Sequence, residues 1–98
     1  RMRNTAAPIP GAVPHPDGPV TGSGTKQWQK PGSFDDANND FDNRNPSNVE
    51  GKGGGVRTGT LPNGDRIIVR PDSSSGEPTI EIQRPDGKRS RDKIRYCP

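Results

Sequence analysis

The stretch TGTLPNGDRIIVRPDSSSGEPTIEIQ, Thr58 to Gln83, decides the fold of this chain. It holds the densest β-branched material in the sequence, two turn signals and an alternation of period two. In Pro78-Thr79-Ile80-Glu81-Ile82-Gln83 the isoleucines face one way, while Thr79, Glu81 and Gln83 face the other. In Asp65-Arg66-Ile67-Ile68-Val69-Arg70, Ile67 and Val69 share a face, opposite Arg66, Ile68 and Arg70. A sheet built from these strands has one apolar side and one side carrying a hydroxyl, a carboxylate and arginines.

Strands on either side complete the pattern. The spacing predicts four, over Val56–Leu61, Arg66–Arg70, Thr79–Gln83 and Lys93–Tyr96. Asn63-Gly64 between the first two is a hairpin signature, and Pro85-Asp86-Gly87 marks a turn before the last. Short links of this kind favour an antiparallel meander. Glu50 to Gly55, EGKGGG, reads as a flexible link.

Upstream, Ser33-Phe34-Asp35-Asp36 fits a serine N-cap with an acid at the third helical position. Phe34, Ala37 and Phe41 then form one apolar stripe, and Asn45-Pro46 ends the helix after about three turns. The expected fold is α+β, with one N-terminal amphipathic helix packed on a four-stranded antiparallel sheet and a Pro/Gly-rich linker before it. Ile67, Val69, Ile80, Ile82, Ile94 and Tyr96 are expected to cover the helix.

Composition places the linker at residues 1–27 and the folded domain at 28–98. Prolines 8, 10, 14, 16 and 19 remove amide donors and fix φ, which favours an extended tether. The only histidine, His15, lies between two of them, so a catalytic role requires the tether to fold back. Trp28 is expected to pack where tether meets domain. Only 22% of the 98 residues are hydrophobic and 28% are charged, so any core is small.

The formal charge of +3 resides in residues 56–98, where nine Lys/Arg face six Asp/Glu. That excess is either a solvated face or a surface for a phosphate-rich partner. The single cysteine, Cys97, can form neither an internal disulfide nor a metal cluster. No stretch is apolar enough to span a membrane as a helix. The abrupt start and the late folded part read like the C-terminal piece of a longer protein.

The polar face of the sheet is where chemistry is expected. Arg70, Thr79, Glu81, Lys93 and Arg95 converge there. RNA backbone cleavage asks for a base to take the proton of a ribose 2′-hydroxyl, cations for the phosphoryl oxygens, and an acid for the leaving 5′-oxygen. Glu81 fits the base, and Arg70 and Arg95 fit bidentate phosphate clamps. Lys93 orients the phosphate or supplies the proton. Thr79 and the Ser73-Ser74-Ser75 loop can hold phosphate or ribose, and Arg57 and Arg66 extend the basic surface. No cofactor is called for. A magnesium site from Asp65, Glu77 and Glu81 is the basis of a DNase alternative. A second alternative is a non-catalytic module that docks nucleic acid or an acidic protein.

Motifs distributed from Trp28 to Tyr96 also form a recognisable set. They are W-x-x-P-G-x-F-x-x-A-N-x-D-F (Trp28 to Phe41), Asn45-Pro46-Ser47-Asn48-Val49, Gly59-Thr60-Leu61-Pro62-Asn63-Gly64, Val69-Arg70-Pro71, Ser73-Ser74-Ser75-Gly76, Pro78-Thr79-Ile80-Glu81-Ile82 and Lys93-Ile94-Arg95-Tyr96. The set resembles the C-terminal toxin domains of bacterial polymorphic toxins, as carried by contact-dependent growth inhibition, RHS-type and bacteriocin proteins. The helix-then-strands order also resembles the barnase/EndoU/colicin/RelE ribonuclease fold. The resemblance implies a metal-independent endoribonuclease acting on RNA, with tRNA the expected target. It further implies delivery from the cell surface or by secretion, action in the target-cell cytoplasm, and a monomer neutralised one-to-one by an acidic immunity protein. The chain departs from barnase and EndoU in having no histidine within 28–98.

Overall fold

The computed structural model describes residues 7–16, 18, 20–21, 24–72, 76–86 and 90–97. One helix, α1 (Phe34–Asn43), packs on a sheet of seven strands. In chain order these are β1 (Val13–Pro14), β2 (Lys26–Pro31), β3 (Ser47–Gly53), β4 (Val56–Thr60), β5 (Arg66–Arg70), β6 (Thr79–Gln83) and β7 (Ser90–Cys97). Across the sheet they lie in the order β1-β2-β7-β6-β5-β4-β3.

The α+β class with a single helix is as expected, but the expected sheet is not. The sheet has seven strands rather than four, and it is mixed rather than antiparallel. β2 runs parallel to β7, with Trp28 opposite Ile94 and Lys30 opposite Tyr96. Nor is the helix N-terminal, because two strands precede it. The cause lies in the proline-rich segment, which does not run free. Ile9 is fully buried and Ala12 nearly so, both within the main core. In a domain this small, two more apolar side chains are a substantial share of what can be kept from water. β1 and β2 then use the sheet edge that β7 would otherwise leave unpaired.

β3 replaces the flexible link expected at Glu50–Gly55. All seven of its residues are exposed, and its pairing with β4 is interrupted by two register shifts. The hairpin closes through Gly53, Gly54 and Gly55, each with positive φ. Gly59 on β4 is demanded by packing, since a Cβ there would stand 2.8 Å from the Pro46 side chain.

The helix forms as its sequence dictates. The Ser33 side chain accepts from the Asp36 amide while Asp36 accepts from the Ser33 amide, a complete capping box. Asp35 and Asp36 sit in the first turn, where the helix dipole favours acids. Ala37 and Phe41 are fully buried against Ile67, Val69, Ile80, Ile82, Ile94 and Tyr96. The apolar face is the one the alternation predicts.

Polar links fasten this face to β2. Asp40 accepts from the Tyr96 hydroxyl at 2.7 Å and pairs with Lys30 at 2.8 Å. Burial, with the Asp40 carboxylate beside it, raises the Tyr96 pKa, so the phenol keeps its proton. Trp28 donates from its indole to Asp92 at 2.8 Å and packs against the core.

Candidate functional site on the open face of the sheet

Strand register decides which side chains share the face away from α1. Ile68 lies opposite Glu81, and Glu81 lies opposite Lys93. Arg70 lies opposite Thr79, and Thr79 opposite Arg95. Arg66 lies opposite Gln83. Direct cross-strand neighbours on one face stand about 5 Å apart, so Glu81 and Thr79 have basic side chains within a strand's width. Thus Arg66, Arg70, Thr79, Glu81, Lys93 and Arg95 are on one face together, as the sequence predicts.

Glu81 is at the centre. It is 6% exposed and accepts hydrogen bonds from three of the described residues. Arg70 donates to Oε1 at 2.7 Å, and Gln83 donates to Oε2 at 3.1 Å. The Ser90 hydroxyl also donates to Oε2. Burial alone pushes the carboxyl pKa up, but the donors Ser90, Arg70 and Gln83 and the Arg70 charge outweigh it, and the net shift is downward. Glu81 is therefore ionised at neutral pH. An ionised carboxylate offers about four lone-pair sites, and the described donors take one on Oε1 and two on Oε2.

The other expected residues divide. Thr79 is buried, and its hydroxyl donates to the Glu77 carbonyl at 3.0 Å, so its proton is already committed. Arg70 and Arg95 flank it from the neighbouring strands. Ser73, Ser74 and Ser75 lie outside the described residues. Arg57 is on the opposite face. It lies opposite Val69, donates to the Asn38 side chain at 2.6 and 3.0 Å, pairs with Asp42 at 3.1 Å, and lies 4.5 Å over the Phe41 ring. Its work is to bind α1 to β4, and it does not join the basic surface.

Gln83, which the alternation had put on this face with Glu81, gains a part in holding it, as above. Two residues enter that sequence reasoning had not placed there. Ser90 could not have been found, because a register shift after Ile82 pairs Gln83 with Ser90 and passes over Arg91. The second is His15. Its amide donates to the Gln27 carbonyl at 3.0 Å, continuing the β1–β2 register by one residue. Gln27 in turn lies opposite Lys93. The segment expected as a tether thus folds back and brings the histidine backbone into the row that contains Lys93 and Glu81. At about 4.8 Å per strand, His15 is about 14 Å from Glu81 along that row.

Asp65 and Glu77 lie at opposite ends of the β5–β6 pair, and Asp65 is occupied by Arg91 at 3.0 Å. Among the described residues no three His, Cys, Asp or Glu side chains are grouped closely enough to hold a metal ion. Among the described residues no helix is long and apolar enough to cross a membrane. Comparison of the chain with family models, with curated proteins and with solved structures finds no match.

Proposed function

We propose that the open face cleaves RNA by metal-independent transesterification. The observation that carries the reading is the Arg70–Glu81 pair, 2.7 Å apart, in a face where Lys93 and Arg95 are the next cross-strand neighbours. In this reading Glu81 Oε1 accepts the proton of a ribose 2′-hydroxyl, and the oxygen attacks the adjacent phosphorus. The bond to the 5′-oxygen breaks, leaving a 2′,3′-cyclic phosphate. Arg70 and Arg95 stabilise the charge that builds on the phosphoryl oxygens. Lys93 delivers the proton to the leaving 5′-oxygen.

The depressed pKa of Glu81 makes it a weak base that is always available. Its strength as a proton acceptor rises only if the substrate displaces one of its donors. Arg70 is that donor when its guanidinium turns to the phosphate, which ties clamp and base together. With the toxin-like motifs, the biological reading is an antibacterial domain acting on tRNA and covered on this face by an acidic immunity protein.

The test is incubation of the purified protein with total tRNA in EDTA, followed by end-group analysis. Discrete fragments with 2′,3′-cyclic phosphate ends are expected, at least about a hundredfold weaker in Arg70→Ala. Binding without cleavage would make the face a docking surface. Cleavage of plasmid DNA that EDTA abolishes would point to the magnesium-dependent nuclease instead.

A further inference from the structure

Beside the Arg70–Glu81 pair, on the same face, the sheet opens into a cleft of about 440 Å³. Its polar walls are Asn48, Glu50 and Lys52 from β3, Thr58 and Thr60 from β4, and Arg66 from β5. The register accounts for this grouping. Glu50 lies opposite Thr58, and Thr60 lies opposite Arg66. Arg66 in turn lies opposite Gln83, whose amide holds Glu81. Cleft and carboxylate are therefore neighbours on one face, with Thr58 two strands, about 10 Å, from Glu81.

A second feature marks the cleft. Asn48 has φ of 52°, a left-handed backbone that a non-glycine residue adopts at a cost, and it lies in the register shift between Ser47 and Glu50. Bulges of this kind re-aim a side chain, and they occur preferentially at sheet edges and near active sites. The bulge is in a strand whose residues are all exposed, so the core does not demand it. Glu50 stays ionised at the rim, its pKa held low by the Lys52 ammonium bonded at 2.6 Å and, more weakly, by the Arg66 charge.

We infer that this cleft is a nucleobase subsite, which reads the base next to the scissile phosphate of a single-stranded RNA. The inference rests on the RNA-cleaving reading of the adjoining face. The donor set is suited to a base edge. A side-chain amide and two hydroxyls can both donate and accept, a carboxylate accepts from exocyclic amines, and a guanidinium plane supports stacking. Such a set discriminates between bases, whereas lysines alone would only hold phosphate.

The test uses the folded protein with 2′-O-methyl homopolymers of A, C, G and U, which lack the attacking hydroxyl. It adds sequencing of cut ends from natural RNA. The variants are Asn48→Gly, which suits the left-handed backbone but removes the amide, and Thr58→Val, which keeps the β-branched shape. Wild type is expected to bind one homopolymer preferentially and to cut beside that base. Each variant should shrink the preference by about fivefold or more while binding to the disfavoured polymers holds steady. Equal binding of all four homopolymers by wild type, or unchanged preference in both variants, would overturn the subsite. Preferential binding without any cleavage would support the subsite while removing the proposed chemistry.

Discussion

The Ser90 hydroxyl donates to Glu81 Oε2 across a register shift that turns Ser90 out of the alternation of its own strand. This bond is a main reason the buried carboxylate has a pKa below its usual value near 4.5 rather than above it. Ser90→Ala removes the donor, so the Glu81 pKa rises. If Glu81 is the base, activity needs it deprotonated, and the acid limb of the cleavage pH profile moves to higher pH. An acid limb that stays in place, in a folded variant, assigns the proton transfer to another group.

The same shift has a consequence for stability. A carboxyl whose folded pKa lies below its unfolded value binds fewer protons when folded. The stability it contributes is complete above about pH 4.5 and is lost as pH falls through the lower folded value. Glu81→Gln should therefore flatten the acid end of the stability curve, read from urea midpoints between about pH 2 and pH 6.

Arg57 and Arg95 make a paired test of the two faces. Arg57→Ala should destabilise the fold by about 1–2 kcal/mol, because it loses its bonds to Asn38 and its contact with Phe41. The exposed Asp42 adds little. Cleavage per folded molecule should not change. Arg95→Ala is expected to do the reverse, with lost cleavage and an unchanged urea midpoint.

Ile9 tests whether the proline-rich segment belongs to the fold. Truncating a fully buried isoleucine to alanine typically costs about 2–4 kcal/mol, a large part of what a domain this size possesses. Thermal unfolding of Ile9→Ala should fall by more than about 8 °C. A midpoint equal to wild type would return residues 1–27 to the role of a tether.

Gly59→Ala should cost about 1–3 kcal/mol, because the new methyl meets the Pro46 ring at 2.8 Å. The backbone there is ordinary strand, so the penalty is overpacking alone. Pro46→Gly, which removes the Cβ that the new methyl meets, is expected to relieve much of it when the two changes are combined.

The legible part of the molecule was the part with a buried face. β5 and β6 run from Arg66 to Arg70 and from Thr79 to Gln83, as the alternation predicts, because every second residue must enter the core. The capping box placed α1 for a similarly local reason. The strands that escaped notice have little or no such requirement. β3 is exposed throughout, and β2, Lys26-Gln27-Trp28-Gln29-Lys30-Pro31, has one large apolar residue. β1 is two residues long and includes a proline. Pairing of this kind depends on a neighbouring edge being available, which no local pattern records. The candidate site followed the same division. Glu81, Arg70, Lys93 and Arg95 follow from parity, while Arg57, two residues after the Gly53–Gly55 turn, was given to the basic surface on its charge. There the β4–β5 register, Arg57 opposite Val69, overrides any guess made from charge.

The place of β7 in the sheet has a kinetic meaning. It is the last strand in sequence, yet it is third of seven in space, between β2 and β6. α1 and β3 to β6 can assemble through contacts between near neighbours in sequence, whereas joining β2 to β7 requires closing a loop from Pro31 to Ser90. Long loops of this sort make folding slower. β6 and β7 can pair through their short connection and set Ser90 and Lys93 beside Glu81 early, but until the long loop closes β7 has no β2 on its other side. A chain held extended, or threaded through a narrow opening, would therefore keep the β7 edge unpaired until β2 docked against it.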